Sequence, residues 1–199
     1  MGSSIRTRGY VTATTHRLNI GLRSAIRKLG VPYSWVREER ETYERHYYDS
    51  FDWRLAGAEL RLAVQDSRLL LVNGKSDQPV ALQPVSGVPD ALHWWDLAEG
   101  PVRTAASSAL GVRAALRLVT VRSTVTTYRL MDEAKKTIGR ALVVSGEAVS
   151  GEETRKLPQR LTLQALRGYA SEMDCLSEDL ERVGCARERR GDMAVALET

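Results

Sequence analysis

Short β-rich runs lie on both sides of one Ala-rich helical segment, and this arrangement constrains the fold more than any other feature of the sequence. Turn-type sequences, Gln65-Asp66-Ser67 and Asn73-Gly74, separate successive runs, so neighbouring runs are expected to pair. The predicted strands are 42–48, 58–64, 68–72, 80–82, 117–130, 138–144 and 160–166. We therefore predict an α+β fold with at least six antiparallel strands in a barrel-like sheet.

Four helices are predicted around these strands. Residues 18–29 form a basic amphipathic pattern that ends at Gly30 and Pro32, whereas 89–95 and 102–116 are the short and the Ala-rich helices of the central segment. After a cap at Ser171, apolar residues spaced three or four apart predict a last helix. Its apolar stripe is Met173, Leu176, Leu180 and Val183. We expect one domain over 1–185, followed by a polar tail or linker over 186–199.

Composition excludes several classes of protein. With 15 Gly, 6 Pro and 2 Cys in 199 residues, the chain is neither collagen-like nor a disulfide scaffold. No segment approaches the roughly 20 apolar residues that cross a bilayer, so no membrane partner is expected. The first residues lack the apolar region of a secretory signal, and we expect a cytoplasmic protein. The formal charge of +4 fits either an anionic partner or a solvated Arg-rich surface.

Familiar catalytic motifs are absent from the sequence. Gly74-Lys75-Ser76 resembles the end of a P-loop, but Leu69 stands where the motif requires Gly, and the following residues are loop-like. His16, His46 and His93 lie far apart and match no zinc-hydrolase spacing. No catalytic residue is therefore predicted from motifs.

Arginines within predicted strands are the strongest remaining candidates for a binding site. Arg61, Arg122 and Arg129 each lie in a predicted strand, where alternation could direct their side chains to the inner face of a curved sheet. The planar guanidinium can bind two phosphate oxygens at once. The alternative is that these side chains face solvent, as strand arginines commonly do.

Three segments resemble the CYTH, or triphosphate tunnel metalloenzyme, superfamily. Residues 47–61, YYDSFDWRLAGAELR, resemble its signature YYDTxDxxLxxxGxxLRxR. Residues 122–132, RSTVTTYRLMD, are similar to its later R…YxLxD strand, and 166–169, LRGY, to its closing strand before the C-terminal helix. Their order and spacing agree, and together they cover about residues 10–185.

The resemblance implies an antiparallel barrel that forms a tunnel with flanking helices. In the family, basic residues hold a triphosphate and carboxylates hold a divalent metal. Its activities include inorganic, thiamine and RNA triphosphatase and a class of adenylyl cyclase. It implies phosphate-binding roles for Arg61, Arg122, Arg129 and Lys75, and a helical CHAD-type module as a partner.

Departures from the family pattern concern its carboxylates. The Glu-x-Glu-x-Lys of the first strand is best matched by 12–16, with Thr12, Thr14 and His16 at the three positions, and the closing strand has Thr162 and Gln164 in place of its acids. Mg²⁺ and Mn²⁺ need several oxygen ligands, usually including carboxylates. We therefore expect a domain that binds polyphosphate or a triphosphate compound without a metal cofactor and without metal-dependent hydrolysis.

Two other functions stay open at this point. One is a working triphosphatase that uses Mg²⁺ or Mn²⁺ held by non-standard ligands. Its candidate ligands are Glu39, Glu44, Glu59 and Glu147, of which Glu59 and Glu147 are the metal candidates that we single out. The other is a scaffold that binds a protein partner through its helical surfaces.

Overall fold

A computed structural model describes residues 10–29, 33–74 and 79–188. In this part of the chain the strands are β1 (Tyr10–Arg17), β2 (Ser34–Asp49), β3 (Leu60–Gln65), β4 (Arg68–Asn73), β5 (Pro79–Pro84), β6 (Ala91–Leu92), β7 (Ala115–Met131), β8 (Thr137–Ser150), β9 (Glu153–Lys156), β10 (Arg160–Leu166) and β11 (Ala186–Arg187). The helices are α1 (Leu22–Leu29), α2 (Arg54–Gly57), α3 (Pro101–Leu110) and α4 (Ala170–Arg182), with one 3₁₀ turn at Trp94–Asp96.

The strands follow the order β11-β1-β10-β8-β7-β2-β3-β4-β5, with β6 beside β7 and β9 beside β8. The strand registers that are described are antiparallel. Within the described residues, β11 and β5 end this order and do not pair with each other. The predicted α+β fold on an antiparallel sheet with helices is confirmed.

The described chain divides into two compact units. Unit 1 comprises 10–29, 33–42, 123–146 and 158–188, and unit 2 comprises 43–74, 79–122 and 147–157. Strands β2, β7 and β8 contribute residues to both units. Each unit has its own apolar core.

The core of unit 1 is formed where α1 and α4 cover one face of its strands. Alternate residues of β10 are buried here, together with apolar residues from both helices. The members that the later argument uses are Leu161, Leu163 and Ala165 of β10, Ala141 and Val143 of β8, and Met173, Leu176 and Leu180 of α4. Because side chains alternate along a strand, the residues between them lie on the other face.

The main core of unit 2 packs α2 and α3 against β3 and β4. Leu62, Leu69 and Leu71 of the strands meet Leu55 of α2 and Leu110 of α3. The turn before α2 is held by the buried Asp49 carboxylate, which accepts main-chain N–H groups of Ser50 (2.7 Å), Leu55 (2.9 Å) and Ala56 (3.0 Å). These bonds satisfy donors at the beginning of a helix that are otherwise unpaired.

Several predicted boundaries are corrected by the structure. Residues 89–95 contain β6 and the beginning of the 3₁₀ turn instead of a helix, and the Ala-rich helix ends at Leu110, before β7 begins at Ala115. Helix α1 begins at Leu22, four residues later than predicted. Helix α4 begins at Ala170, and no Ser171 cap forms.

The predicted domain boundary is not decided by the described residues. Ala186 and Arg187, placed in the tail by that prediction, form β11 and pair with β1. Residues 189–199 lie outside the described residues. None of the helices that are described is long and apolar enough to cross a membrane.

Candidate functional site

Unit 1 carries a polar sheet face on the side opposite its apolar core. Across β8, β10 and β1, Arg140 lies beside Gln164, which lies beside Ala13. Four residues along β10, Arg160 lies beside Arg17 of β1. Residues paired across antiparallel strands share a face, so these side chains project to the same side. Leu161, Leu163 and Ala165 project to the helix side.

Arg129 of β7 joins the same face through a shared carboxylate. Glu38 Oε2 lies 3.2 Å from Arg140 Nε, and Glu38 Oε1 lies 3.5 Å from Arg129 Nε. The neighbours of Arg129 along the strand, Tyr128 and Leu130, pack into the unit 1 core. Alternation therefore places Arg129 on the opposite side, with Arg140.

The set of residues on this side is called the arginine face. It comprises Arg17, Arg129, Arg140, Arg160, Thr15, Thr162, Gln164, Glu38 and Glu188, which lies beside Thr15 in the continuation of the β1–β11 register. Between its two ends, the Thr15 and Thr162 hydroxyls form a hydrogen bond of 2.9 Å. Four arginines and two glutamates, Glu38 and Glu188, lie in this set, so its formal charge is positive.

Two of these arginines are direct cross-strand neighbours. Arg17 and Arg160 are paired in the β1–β10 register, and both are half-buried. Like charges directly opposite each other destabilise a sheet. An anion between the two guanidinium groups would remove that cost, because each group could then donate to a negatively charged oxygen.

Unit 2 contains a polar cluster of different composition around Arg122. Arg122 Nε donates to Glu44 Oε2 at 2.7 Å, and Arg122 Nη1 lies 3.8 Å from Glu147 Oε1. His46 Nε2 lies 3.3 Å from Glu44 Oε1, and His46 Nδ1 forms a 2.9 Å hydrogen bond with Thr120 Oγ1. Two carboxylates contact one guanidinium here, and the hydrogen bond that Arg122 donates to Glu44 raises the pKa of Arg122.

Arg61 lies on the other face of the unit 2 sheet from Arg122. In the β2–β3 register, Tyr47 pairs with Ala63. Arg61 is two residues before Ala63 on β3, so Arg61, Ala63 and Tyr47 lie on one face of the sheet. His46 pairs with Val64 on the opposite face, and the His46–Thr120 bond brings Arg122 to that side. The structure does not bring Arg61 and Arg122 together.

Arg61 and Glu59 lie near the end of the β3–β4 hairpin. Arg61 Nη2 donates to the main-chain oxygen of Gly74 at 2.6 Å. Gly74 N donates to Glu59 O at 2.6 Å, and a Cβ at position 74 would come within 2.9 Å of that oxygen, so only Gly fits this approach. Lys75, the fourth predicted phosphate ligand, lies outside the described residues.

Thr14 and His16, two of the residues matched to the first-strand motif, do not lie on the arginine face. His16 is fully buried on the helix side, where its Nε2 forms a 2.9 Å hydrogen bond with Ser177 of α4. Thr14 pairs with the core residue Leu163 and lies on that side too. The arginine face instead receives Thr15 and Arg17. Thr162 and Gln164 of the closing strand also lie on it.

The donor sets in both units fit a divalent metal poorly. Among the described residues, no group of three or more His, Cys, Asp or Glu side chains is arranged to hold a metal ion. The arginine face offers two carboxylates: Glu38, which already contacts two guanidinium groups, and Glu188 beside Thr15. Of the four candidate ligands, only Glu44 and Glu147 contact a common residue, Arg122, within the part of the chain that is described.

Five charged members of the arginine face were not predicted from the sequence as site residues: Arg17, Arg140, Arg160, Glu38 and Glu188. One signal was available on β10, where Arg160, Thr162 and Gln164 alternate with buried apolar residues and thereby mark a polar face. No comparable signal marks Glu38, because it lies within the charged run 37–41.

No family model and no curated protein matches the sequence. Among solved structures, the chain is similar to an adenylyl cyclase candidate from Hippeastrum with a dominant triphosphatase activity. The identity is 13% and the TM-score 0.48, over 92% of this chain and 93% of that chain. It is also similar to an adenylate cyclase candidate from Vibrio parahaemolyticus, with 8% identity and a TM-score of 0.39, over 94% and 97% of the two chains. Similarity at this level leaves the activity of the present chain open.

Proposed function

We propose that this chain is a CYTH-like domain that binds a phosphate-rich anion on the arginine face of unit 1. The observation that carries the proposal is the excess of cations on one sheet face, with Arg17 directly opposite Arg160. The ligand is polyphosphate or a small molecule with a triphosphate group.

The shape of the face favours a chain of phosphates over a single one. Arg160 and Gln164, which pairs with Arg140, are four residues apart on β10, or about 13 Å at the ordinary rise of a strand. Thr15 and Thr162 lie between these two ends and offer hydroxyl donors. A linear anion can contact both ends and the hydroxyls, whereas one orthophosphate contacts one end.

The proposal excludes hydrolysis by a metal-activated water on this face. Such a metal lowers the pKa of bound water and bridges phosphate oxygens, and it requires hard oxygen ligands. Thr15, Thr162 and Gln164 offer neutral oxygens only, and Glu38 contacts Arg129 and Arg140. Glu188 is the second carboxylate of the face, and no third acidic, His or Cys side chain of the described residues joins these two in a metal-binding group. Binding without turnover follows from this chemistry.

One observation favours the alternative, a triphosphatase with non-standard ligands. Glu44 and Glu147 both contact Arg122, and His46 lies beside Glu44. If these groups held Mn²⁺, then phosphate release from tripolyphosphate would require the metal and would be lost in Glu147→Gln. Phosphate release at background level with Mn²⁺ would exclude this alternative.

A CHAD-type helical partner, the cytoplasmic location and the 1–185 boundary are retained as predictions from the sequence. Phosphate-binding roles for Arg61, Arg122 and Lys75, which the resemblance implies, stay untested predictions that compete with the present proposal, and the double variant Arg61→Ala with Arg122→Ala distinguishes the two. Among the residues first singled out from the sequence, Arg129 lies on the arginine face, and this position supports a phosphate-binding role for it.

The proposal is tested by calorimetric titration of the full chain with tripolyphosphate at low salt. We expect saturable binding that is the same with Mg²⁺ as with a chelator, and weaker binding of orthophosphate. Absence of tripolyphosphate binding, or binding that requires Mg²⁺, would contradict the proposal.

A further inference from the structure

Glu38 occupies the position on the arginine face that an anion would take. Its side chain is 26% exposed, and each carboxylate oxygen contacts a different guanidinium group, on β7 and on β8. The carboxylate thus resembles a bound anion that is supplied by the chain itself.

The contacts of Glu38 with Arg129 are loose. At 3.5 Å the Oε1 to Nε distance is longer than that of a good charge-assisted hydrogen bond, which is about 2.7–2.9 Å. Arg129 Nε is buried and has no hydrogen-bond partner among the described residues. A buried donor without a partner is unfavourable, so this N–H remains available to a better acceptor.

A phosphate group is a better acceptor for this pair of arginines. It presents more oxygens and more negative charge than a carboxylate, and its oxygens are not constrained by a strand backbone. We propose that Glu38 is an internal competitor that phosphate must displace, so that this residue sets the affinity and admits only strongly charged anions. This inference rests on the proposed function.

Removing the charge of Glu38 should therefore increase the affinity of the arginine face for phosphate compounds. Glu38→Gln keeps the size of the side chain, removes the competing carboxylate and raises the local charge by one. We expect the affinity for tripolyphosphate to increase by roughly three- to tenfold, since a charge of this exposure is partly screened. The dependence of affinity on salt should also become steeper, because the arginines would release more counterions.

Glu39→Gln is the matched control. Glu39 is the next residue of β2, so it projects to the other face of the strand, and its substitution makes the same change in net charge. An increase in affinity that arises from net charge alone would appear in both variants, whereas the loss of a competitor would appear only in Glu38→Gln.

The test is calorimetric titration of wild type, Glu38→Gln and Glu39→Gln with tripolyphosphate at several salt concentrations. Tighter binding by Glu38→Gln alone, with a steeper salt dependence, supports the inference. Binding by wild type with equal or weaker binding by Glu38→Gln overturns it and leaves the proposed function intact, because Glu38 would then position the arginines. Absence of binding by all three proteins overturns both.

Discussion

Arg129 of unit 1 and Arg122 of unit 2 come from the same predicted strand but lie in opposite electrostatic settings. Arg129 shares one glutamate with Arg140 and retains a buried N–H that no described residue accepts in a hydrogen bond. Arg122 is contacted by two glutamates, with a 2.7 Å bond to one of them. An arginine in excess over carboxylates can accept an anionic ligand, whereas an arginine already surrounded by carboxylates is neutralised. Strand position alone does not distinguish the two cases.

The largest expected effect is a loss of tripolyphosphate affinity when arginines of unit 1, but not of unit 2, are replaced. Each charge-assisted contact contributes about 1.5–3 kcal/mol, so Arg140→Ala with Arg160→Ala should weaken tripolyphosphate binding by about 100-fold, allowing for non-additivity. Arg61→Ala with Arg122→Ala, which removes the same charge from unit 2, should leave affinity within about threefold of wild type. Calorimetry measures both. Equal losses in the two double variants would show that the comparison is wrong.

A second prediction compares the buried histidines of the two units. Burial lowers the pKa of His16 from 6.5, and Arg187 adds to this, whereas Glu181 opposes it. Because the folded-state pKa lies below the unfolded one, stability is complete above pH 6.5 and decreases as pH falls toward the folded-state pKa. Between these values the free energy of unfolding should fall by up to about 1.4 kcal/mol per pH unit. Urea denaturation at a series of pH values measures this dependence.

Substitution of each histidine in turn shows which one causes the pH dependence of the free energy of unfolding. His16→Gln, which can still bond Ser177, should flatten the profile below pH 6.5. His46→Gln should change it less. Burial lowers the pKa of both histidines, and a glutamate opposes this in each case. His46 should contribute less because its side chain is 12% exposed and lies 3.3 Å from Glu44, whereas His16 is fully buried. A flatter profile in His46→Gln than in His16→Gln would contradict this assignment.

The smallest predicted effect concerns the Arg17–Arg160 pair. Without ligand, Arg17→Gln should raise the melting temperature of the chain by about 1–3 °C, because it removes a like-charge cross-strand pair. With saturating tripolyphosphate the difference should reverse, because wild type gains one more contact. Thermal denaturation with and without ligand measures both shifts. A lower melting temperature without ligand would mean that Arg17 stabilises the fold.

Local patterns predicted the elements whose faces differ clearly in polarity. Strand β10 was predicted with its observed bounds, because apolar and polar residues alternate over 160–166. The apolar stripe of α4 was also predicted, and Met173, Leu176 and Leu180 are buried. The first half of β2 was not predicted, because its charged run 37–41 has no apolar alternation. Its strand conformation depends on pairing with distant parts of the chain.

The site was less predictable than the fold, since its charge balance depends on non-local register. Glu38 and Arg140 are far apart in sequence and meet only because β2, β7 and β8 are consecutive in the sheet. Whether Arg61 and Arg122 share a face depends on the β2–β3 register and on the His46–Thr120 contact. Neither the partner of an arginine nor its face is encoded in the residues next to it.

The most direct test of the central claim is nuclear magnetic resonance of the arginine Nε–H groups during titration with tripolyphosphate. Assigned signals report each guanidinium group separately, so unit 1 and unit 2 are compared in one sample. We predict saturable shifts for Arg17, Arg129, Arg140 and Arg160, with the Arg61 and Arg122 signals unchanged. Shifts confined to Arg61 and Arg122, with the four arginines of unit 1 unaffected, would contradict the account.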